Sequence, residues 1–309
     1  MTSVPNITET STPSLTSTTA YTIHPSFSGV FSGATIRLLS VDNILFPVSP
    51  ETLARTSGWF QTMLSLPQAF RADDVDSEVV PMAEPSEVLA GLLSMIGGTG
   101  LPPLHDLAFA EQLLLAAEKY EMPMPIATIR ALLSPVDFSP IQLYGVACRM
   151  NWEAEATKAA TRTLALDIMA PENMMELVRL DKPHLMKLLS LHNLRRKAIG
   201  EALENASVFT ANSRSTRCRN ILSNQWCDAP IDRTNWWVLK LAWSKEPWRF
   251  LSLGEIGNVG GVPTTPIPEL DALLADQCGR CKKSLYSKIA TLDNLRAAAQ
   301  RPPQTIEWS

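Results

Sequence analysis

The sharpest chemical signal in this chain is Cys278-Gly279-Arg280-Cys281. Two thiolates separated by two residues can hold one Zn²⁺ from a single turn. Cys218 and Cys227 lie about fifty residues earlier and form a candidate second pair, with eight residues between them where two to four are usual. The set Cys218, Cys227, Cys278 and Cys281 is therefore the candidate ligand set of a structural zinc. Ordinary buried thiols are the competing reading. A redox pair is the third, and no βαβ pattern precedes the motif to support it. Cys148 falls among Val146 and Met150 on a helical pattern and reads as core.

The rest of the chain is poor in reactive constellations. It has four histidines: His24, His105, His184 and His192. His24 sits in a Ser/Thr-rich stretch and His105 in a Pro-rich loop. His184 and His192 lie two turns apart on one helical pattern beside Lys187, Arg195, Arg196 and Lys197, which reads as a solvated basic face. The acidic stretch "ADDVDSE" reads as a solvated loop, with nothing to split its carboxylate pKa values. "GGTG" at 97–100 follows a helix and carries no lysine, so it is a turn and not a phosphate loop. No nucleophile elbow or dinucleotide fingerprint is present, and the expectation is a protein that is not an enzyme.

Composition narrows the classes further. The chain has 309 residues, a formal net charge of -4 and 45% hydrophobic residues, enough for two or three domains with ordinary cores. An acidic balance disfavours a dedicated nucleic-acid binder, although Arg214, Arg217 and Arg219 cluster near Cys218. The first residues lack a basic start and an apolar stretch, and no run approaches a membrane span. A soluble intracellular protein, cytoplasmic or nuclear, is expected, with its cysteines reduced.

The elements that must position these residues can be read from patterning. Residues 1–28 are polar and of low complexity and are expected to be disordered. Residues 34–48 read as a β-hairpin turning at Val41, Asp42 and Asn43, with Pro47 marking an edge or a strand end. Ser49-Pro50-Glu51 opens a helix anchored by Leu53. Trp59, Phe60, Met63 and Leu64 recur at helical spacing in the next one, either as core or as an exposed face. "VVPMAE" is a third strand. Residues 86–97 place Val88, Leu89, Leu92, Leu93 and Ile96 on one face and stop at Gly97-Gly98. Residues 106–120 carry a stripe of Leu107, Ala110, Leu114, Ala117 and Tyr120, and 125–133 form another helix. From 139 to 205 every segment is helical. Residues 206–309 hold four of the five cysteines and all but two of the eight tryptophans. Helices are expected there near 234–244, 267–277 and 281–299. Trp236 and Trp243 form a buried seam, with a partner-binding aromatic groove as the alternative reading. The last residues read as a polar tail.

This order of hairpin, capped helix, Trp/Phe helix, strand and helix pairs resembles the BTB/POZ domain. The stretch "SVDNILFPVSPETLARTSGWFQTML" matches that family's pattern at Phe46, Val48, Leu53, Ser57, Phe60 and Met63. Pro67-Gln68, "LLLAAEKYEMP" at 113–123 and "YGVACRMNWEAEATKAATRTL" at 144–164 are similar to segments of the fungal branch. The resemblance covers about residues 34–200. It departs at Ala34-Thr35, where the family carries an Asp before its first strand, and at Ser49-Pro50, where it carries His-Lys.

The resemblance implies an α+β BTB/POZ domain at 29–135, an all-α helical extension at 136–205 and a helical Cys/Trp-rich region at 206–309. It implies protein–protein interaction as the role: a homodimer, or an adaptor presenting substrates to a cullin scaffold. The interaction candidates are Phe46, Val48, Leu53, Trp59, Phe60 and Met63. The alternative is a transcription regulator that binds nucleic acid through a zinc-stabilised C-terminal region.

Overall fold

The computed structural model describes residues 21–28, 36–66, 79–104, 106–133, 138–204, 217–219, 226–251 and 266–308. The chain forms two compact units, residues 1–137 and 138–309. The mixed α+β class holds, and the described residues are mostly helical. Ala34-Thr35, His105, the "ADDVDSE" loop, Pro67-Gln68 and Arg214 lie outside the described residues.

The first unit is built on a four-stranded sheet in the order β1-β3-β2-β4. β2 (Ile36–Leu39) and β3 (Ile44–Val48) form the expected antiparallel hairpin, with Leu38 opposite Phe46. Alternation puts Ile36 and Leu38 inside and Arg37 outside. Ser40 closes the turn by accepting from the Ile44 N–H at 3.0 Å, and Asn43 takes the left-handed conformation at φ 61°. β4 (Val79–Pro81) adds in parallel beside β2. β1 (Thr22–Ile23) pairs in parallel with Ile44 and Leu45 of β3. Pro47 lies beyond the end of β1, so no ladder needs the N–H it lacks.

The expectation of disorder through residue 28 is corrected over 21–28. There the His24 ring stacks on Phe46 at 5.0 Å, and Phe27 is buried in a 3-10 turn. Two aromatic contacts and a strand pairing offset the ordering entropy of a Ser/Thr-rich stretch that has little else to bury.

Among the described residues five helices accompany this sheet. α1 (Pro50–Thr56) starts where Ser49 accepts the Thr52 N–H at 3.4 Å and Pro50 sits at the first position. α2 (Gly58–Ser65) is capped by Ser57, which also ends α1 through its own N–H to the Leu53 carbonyl. α3 (Ser86–Gly97) buries all five residues of its expected face and ends at Gly98, φ 67°, which a side chain at that position would strain. α4 (Leu107–Lys119) buries its whole stripe, and α5 (Pro123–Leu133) follows a turn through Glu121.

The second unit is mostly helical. α6 (Pro140–Arg149) and α7 (Glu153–Thr163) bury small residues, Gly145, Ala147, Ala156, Ala159 and Ala160. α8 is Pro171–Leu177, and α9 (Lys182–Glu204) is the longest helix. β5 (Arg217–Arg219) and β6 (Trp226–Pro230) form an antiparallel pair, followed by α10 (Thr234–Lys245), α11 (Pro268–Ala275) and α12 (Lys288–Gln300). The boundary expected at 205/206 falls inside this unit. Ile199 and Leu203 at the end of α9 belong to the same core as Leu239, Trp243, Phe250 and Leu295. Trp243 stacks on Phe250 at 5.1 Å, and Trp236 is buried beside it, so the expected tryptophan seam is there, while Trp237 faces solvent.

Two further expectations are corrected in this unit. The histidine-bearing face of α9 is not uniformly solvated. Arg195 is only 4% exposed, and His192 meets Thr163 Oγ1 at 3.0 Å. The end of the chain is not a free polar tail either. Pro302 and Ile306 are buried, and the Trp308 indole donates to Thr157 Oγ1 at 2.7 Å. Among the described residues no helix is long and apolar enough to cross a membrane.

Candidate metal centre

The local structure around the C-x-x-C motif is a tight hairpin rather than the start of a helix. α11 ends at Ala275 and α12 starts at Lys288, both clear of the motif. Between them Gln277 bridges Ser284 in antiparallel fashion. The Cys278 N–H donates to Lys283 O at 2.8 Å, and the Lys282 N–H returns to Cys278 O at 2.9 Å. Lys282 takes φ 58°, the reversal that lets both cysteines face one side. A second hairpin supplies the other pair, Cys218 from β5 and Cys227 from β6. Arg280 bridges the two by donating to Cys227 O at 3.2 Å.

The four sulfurs converge. All lie within 4.8 Å of one another, with Cys218–Cys281 at 3.7 Å and Cys227–Cys278 at 3.8 Å. A disulfide would need about 2.05 Å, and all four are free thiols. A tetrahedral zinc with Zn–S bonds of about 2.3 Å has S···S edges of about 3.8 Å. The two cross-hairpin distances match that edge. The spacing of eight residues between Cys218 and Cys227 is absorbed by the β5–β6 pair, whose register shifts between Arg217 and Arg219.

The electrostatics separate Cys278 from Cys218 and Cys227. N–H groups of Cys281 first, then Arg280, point at the Cys278 sulfur and hold its pKa down to about 6, although burial opposes this. Burial, with Cys278 and Cys281 alongside, pushes Cys218 up to about 12. Burial also raises Cys227. Cys278 is thus the more readily ionised thiol, while burial of Cys218 and Cys227 opposes further negative charge, an arrangement that a divalent cation resolves. Four protein ligands would close the coordination shell, which is the pattern of structural zinc and not of catalytic zinc. The sulfurs are buried or half-buried against the core of the second unit.

The other sequence candidates are dispersed. Cys148 is buried, and burial moves its pKa up to about 11. His184 meets Asp181 Oδ1 at 2.6 Å, and its carbonyl accepts the Tyr144 hydroxyl at 3.0 Å. Burial first, then Arg195 and Arg196, lowers His192 to about 4, so it is neutral at ordinary pH. Among the described residues the four cysteines are the one group of metal-holding geometry.

The interaction candidates divide. Phe46, Val48, Leu53 and Phe60 are all 0% exposed. Their assignment to an interaction surface is corrected: these positions make the core on which the sheet and α1–α2 pack. Trp59 is 37% exposed and Met63 half-buried, so these two reach the surface. Trp59 stands edge-on to Phe60 at 4.8 Å and to Tyr120 at 5.4 Å, which fixes its ring on the face of α2. Ser57 ties this region together. Its hydroxyl accepts the Phe60 N–H at 3.1 Å and donates to Tyr120 O at 2.5 Å. Lys119 pairs with Glu84 at 2.7 Å, and the Tyr120 hydroxyl donates to the same carboxylate. The sequence pattern identified Ser57 but not the Glu84–Tyr120 pairing.

The chain matches no family model, and no curated protein matches it.

Proposed function

We propose that this chain is a non-enzymatic protein–protein interaction module whose first unit is a BTB/POZ-type domain. The observation that carries the reading is the element order β2-β3-α1-α2-β4-α3-α4-α5, with β4 parallel to β2 and α1–α2 locked to the end of α4 through Ser57. Self-association through α1, α2 and the preceding strand is the role this arrangement supports. Trp59 is the exposed aromatic of that face, with Met63 half-buried beside it. The second unit is a helical body whose β5–β6 and 276–285 hairpins are clamped by one structural Zn²⁺ on Cys218, Cys227, Cys278 and Cys281. A cullin scaffold is a partner class consistent with an adaptor of this kind.

Size-exclusion chromatography with light scattering and zinc analysis tests both halves. A dimer that Trp59→Glu converts to monomer, carrying one zinc per chain, is the expected result. A wild-type monomer at high micromolar concentration removes the self-association half, and a zinc-free folded chain removes the metal half.

A second reading is favoured by the basic residues Arg280, Lys282 and Lys283 at the cysteine hairpin. In that reading the zinc-clamped region contacts nucleic acid. Binding to duplex DNA that weakens steeply with salt supports it. No binding at low salt leaves the interaction module alone.

A further inference from the structure

Residues 302–308 lie along α7 and α9 without forming helix or strand. They are held as an extended peptide is held in a groove. The Trp308 indole donates to Thr157 Oγ1 at 2.7 Å, and Lys187 Nζ sits 4.8 Å from the centre of its ring. Thr161 Oγ1 donates to Gln304 O at 3.0 Å. Ile306 is 7% exposed and forms the aliphatic anchor two residues before the tryptophan.

The fit of this strap is incomplete in two places. A groove of about 390 Å³ stays open between α9 and the strap, bordered by Met186, Leu194 and Ile306. Met186 and Leu194 are more than half exposed there, at 54% and 53%. The second place is Arg195. Its guanidinium is buried, its Nε has no hydrogen-bond partner among the described residues, and its bond to Pro303 O is long at 3.4 Å. A cation that is 4% exposed and whose hydrogen bond among the described residues goes to a carbonyl is poorly compensated, whereas a carboxylate would make a charge-assisted, bidentate pair.

We infer that the α7–α9 groove is a docking site for an extended segment of a partner protein, carrying a carboxylate where the strap has Pro303, an aliphatic residue at the place of Ile306 and an aromatic at the place of Trp308. The strap occupies the groove in cis and excludes weaker ligands. Charge selects the partner: Arg195 and Lys187 line the strap's path and favour an acidic segment. One residue, Arg301, separates α12 from the strap, a short tether that gives the cis segment a high effective concentration. This inference stands on the second unit alone and does not depend on the BTB/POZ reading.

Fluorescence anisotropy tests it with two labelled peptides, residues 300–309 of this chain and the same peptide with Pro303→Asp. The strap is released in the full chain by Ile306→Ala with Trp308→Ala. The expected result is saturable binding to the released protein, roughly tenfold tighter for the Asp peptide, and at least roughly tenfold weaker binding to the wild type. Adding Arg195→Gln to the released protein abolishes the preference for the Asp peptide and leaves binding of the other. Should the double variant not fold, Trp308→Phe replaces it: losing the indole N–H weakens the strap and raises peptide affinity. No binding to a folded, strap-released protein overturns the inference, as does equal affinity for both peptides. A dimer that Trp308→Ala dissolves also overturns it, since the occupant is then a second copy of the chain.

Discussion

Ser57→Ala is the most informative single change in the first unit, because one hydroxyl serves two buried partners. Ser57 is 2% exposed. Its oxygen caps α2 through the Phe60 N–H at 3.1 Å, and its proton goes to Tyr120 O at 2.5 Å, 63 residues away in sequence. Losing the cap costs about 1 kcal/mol. Leaving the Tyr120 carbonyl without its donor, in a place water does not reach, adds about 1–3 kcal/mol. The expected total is about 2–4 kcal/mol. Ser49→Ala is the control, since it removes a cap of the same chemistry at 3.4 Å from a half-buried site with no second partner, and should cost about 1 kcal/mol or less. Native-state hydrogen exchange read by mass spectrometry keeps the two units apart, which a single melting curve of a two-unit chain does not. At about 1.4 kcal/mol per tenfold, Ser57→Ala should speed exchange of the α2 and α4 amides by roughly 30- to 700-fold, and Ser49→Ala by no more than roughly fivefold. Equal effects of the two substitutions would refute the idea that Ser57 locks α1–α2 to the end of α4.

Three other outcomes are expected. Cys281→Ser, or a chelator, should remove the zinc and destabilise the second unit by at least about 3 kcal/mol, a fall in Tm of roughly 6–12 °C, with exchange in α2 and α4 unchanged; calorimetry with metal analysis checks this. Trp243→Ala deletes a side chain that is 1% exposed and stacked on Phe250, and should cost about 3–5 kcal/mol in urea unfolding of the second unit. His192 is held down to about 4 in the folded chain, below its ordinary value of 6.5, so the unfolded chain binds more protons between those limits. Stability of the second unit is then complete above about pH 6.5 and declines as pH falls towards 4, by up to about 3 kcal/mol. His192→Gln should flatten that slope, and an unchanged slope removes His192 as its source.

Residues whose roles depend on neighbours in sequence were legible, and those whose roles depend on distant cover were not. The turn at Asp42 and Asn43, the Ser49-Pro50 cap and the stripe from Leu107 to Tyr120 are local patterns, and each appears where the pattern places it. β1 escaped notice because Thr22 and Ile23 are strand only by pairing with Ile44 and Leu45, in a stretch whose composition argues for disorder. His192 and Arg195 share a helix with Lys187, Arg196 and Lys197, and nothing in that run distinguishes the covered pair from its solvated neighbours. Their cover is Thr163 on α7 and the Pro303 carbonyl, which only the folded unit supplies.

The cysteines and the apolar motif over residues 46–63 show the same division in opposite directions. For the cysteines, residue type and spacing picked out the four that converge but left buried thiols as the leading reading; convergence needed the β5–β6 pair and the 276–285 hairpin to meet on a core that includes the end of α9. For the motif, the matched residues were read as an interaction surface, yet Phe46, Val48, Leu53 and Phe60 are wholly interior. A pattern of large apolar residues records what a fold must bury, so it identifies architecture more firmly than contact. Of the interaction candidates only Trp59 and Met63 reach the surface, so the Trp59→Glu test of oligomeric state bears on function in a way that Phe60→Ala, a core deletion, does not.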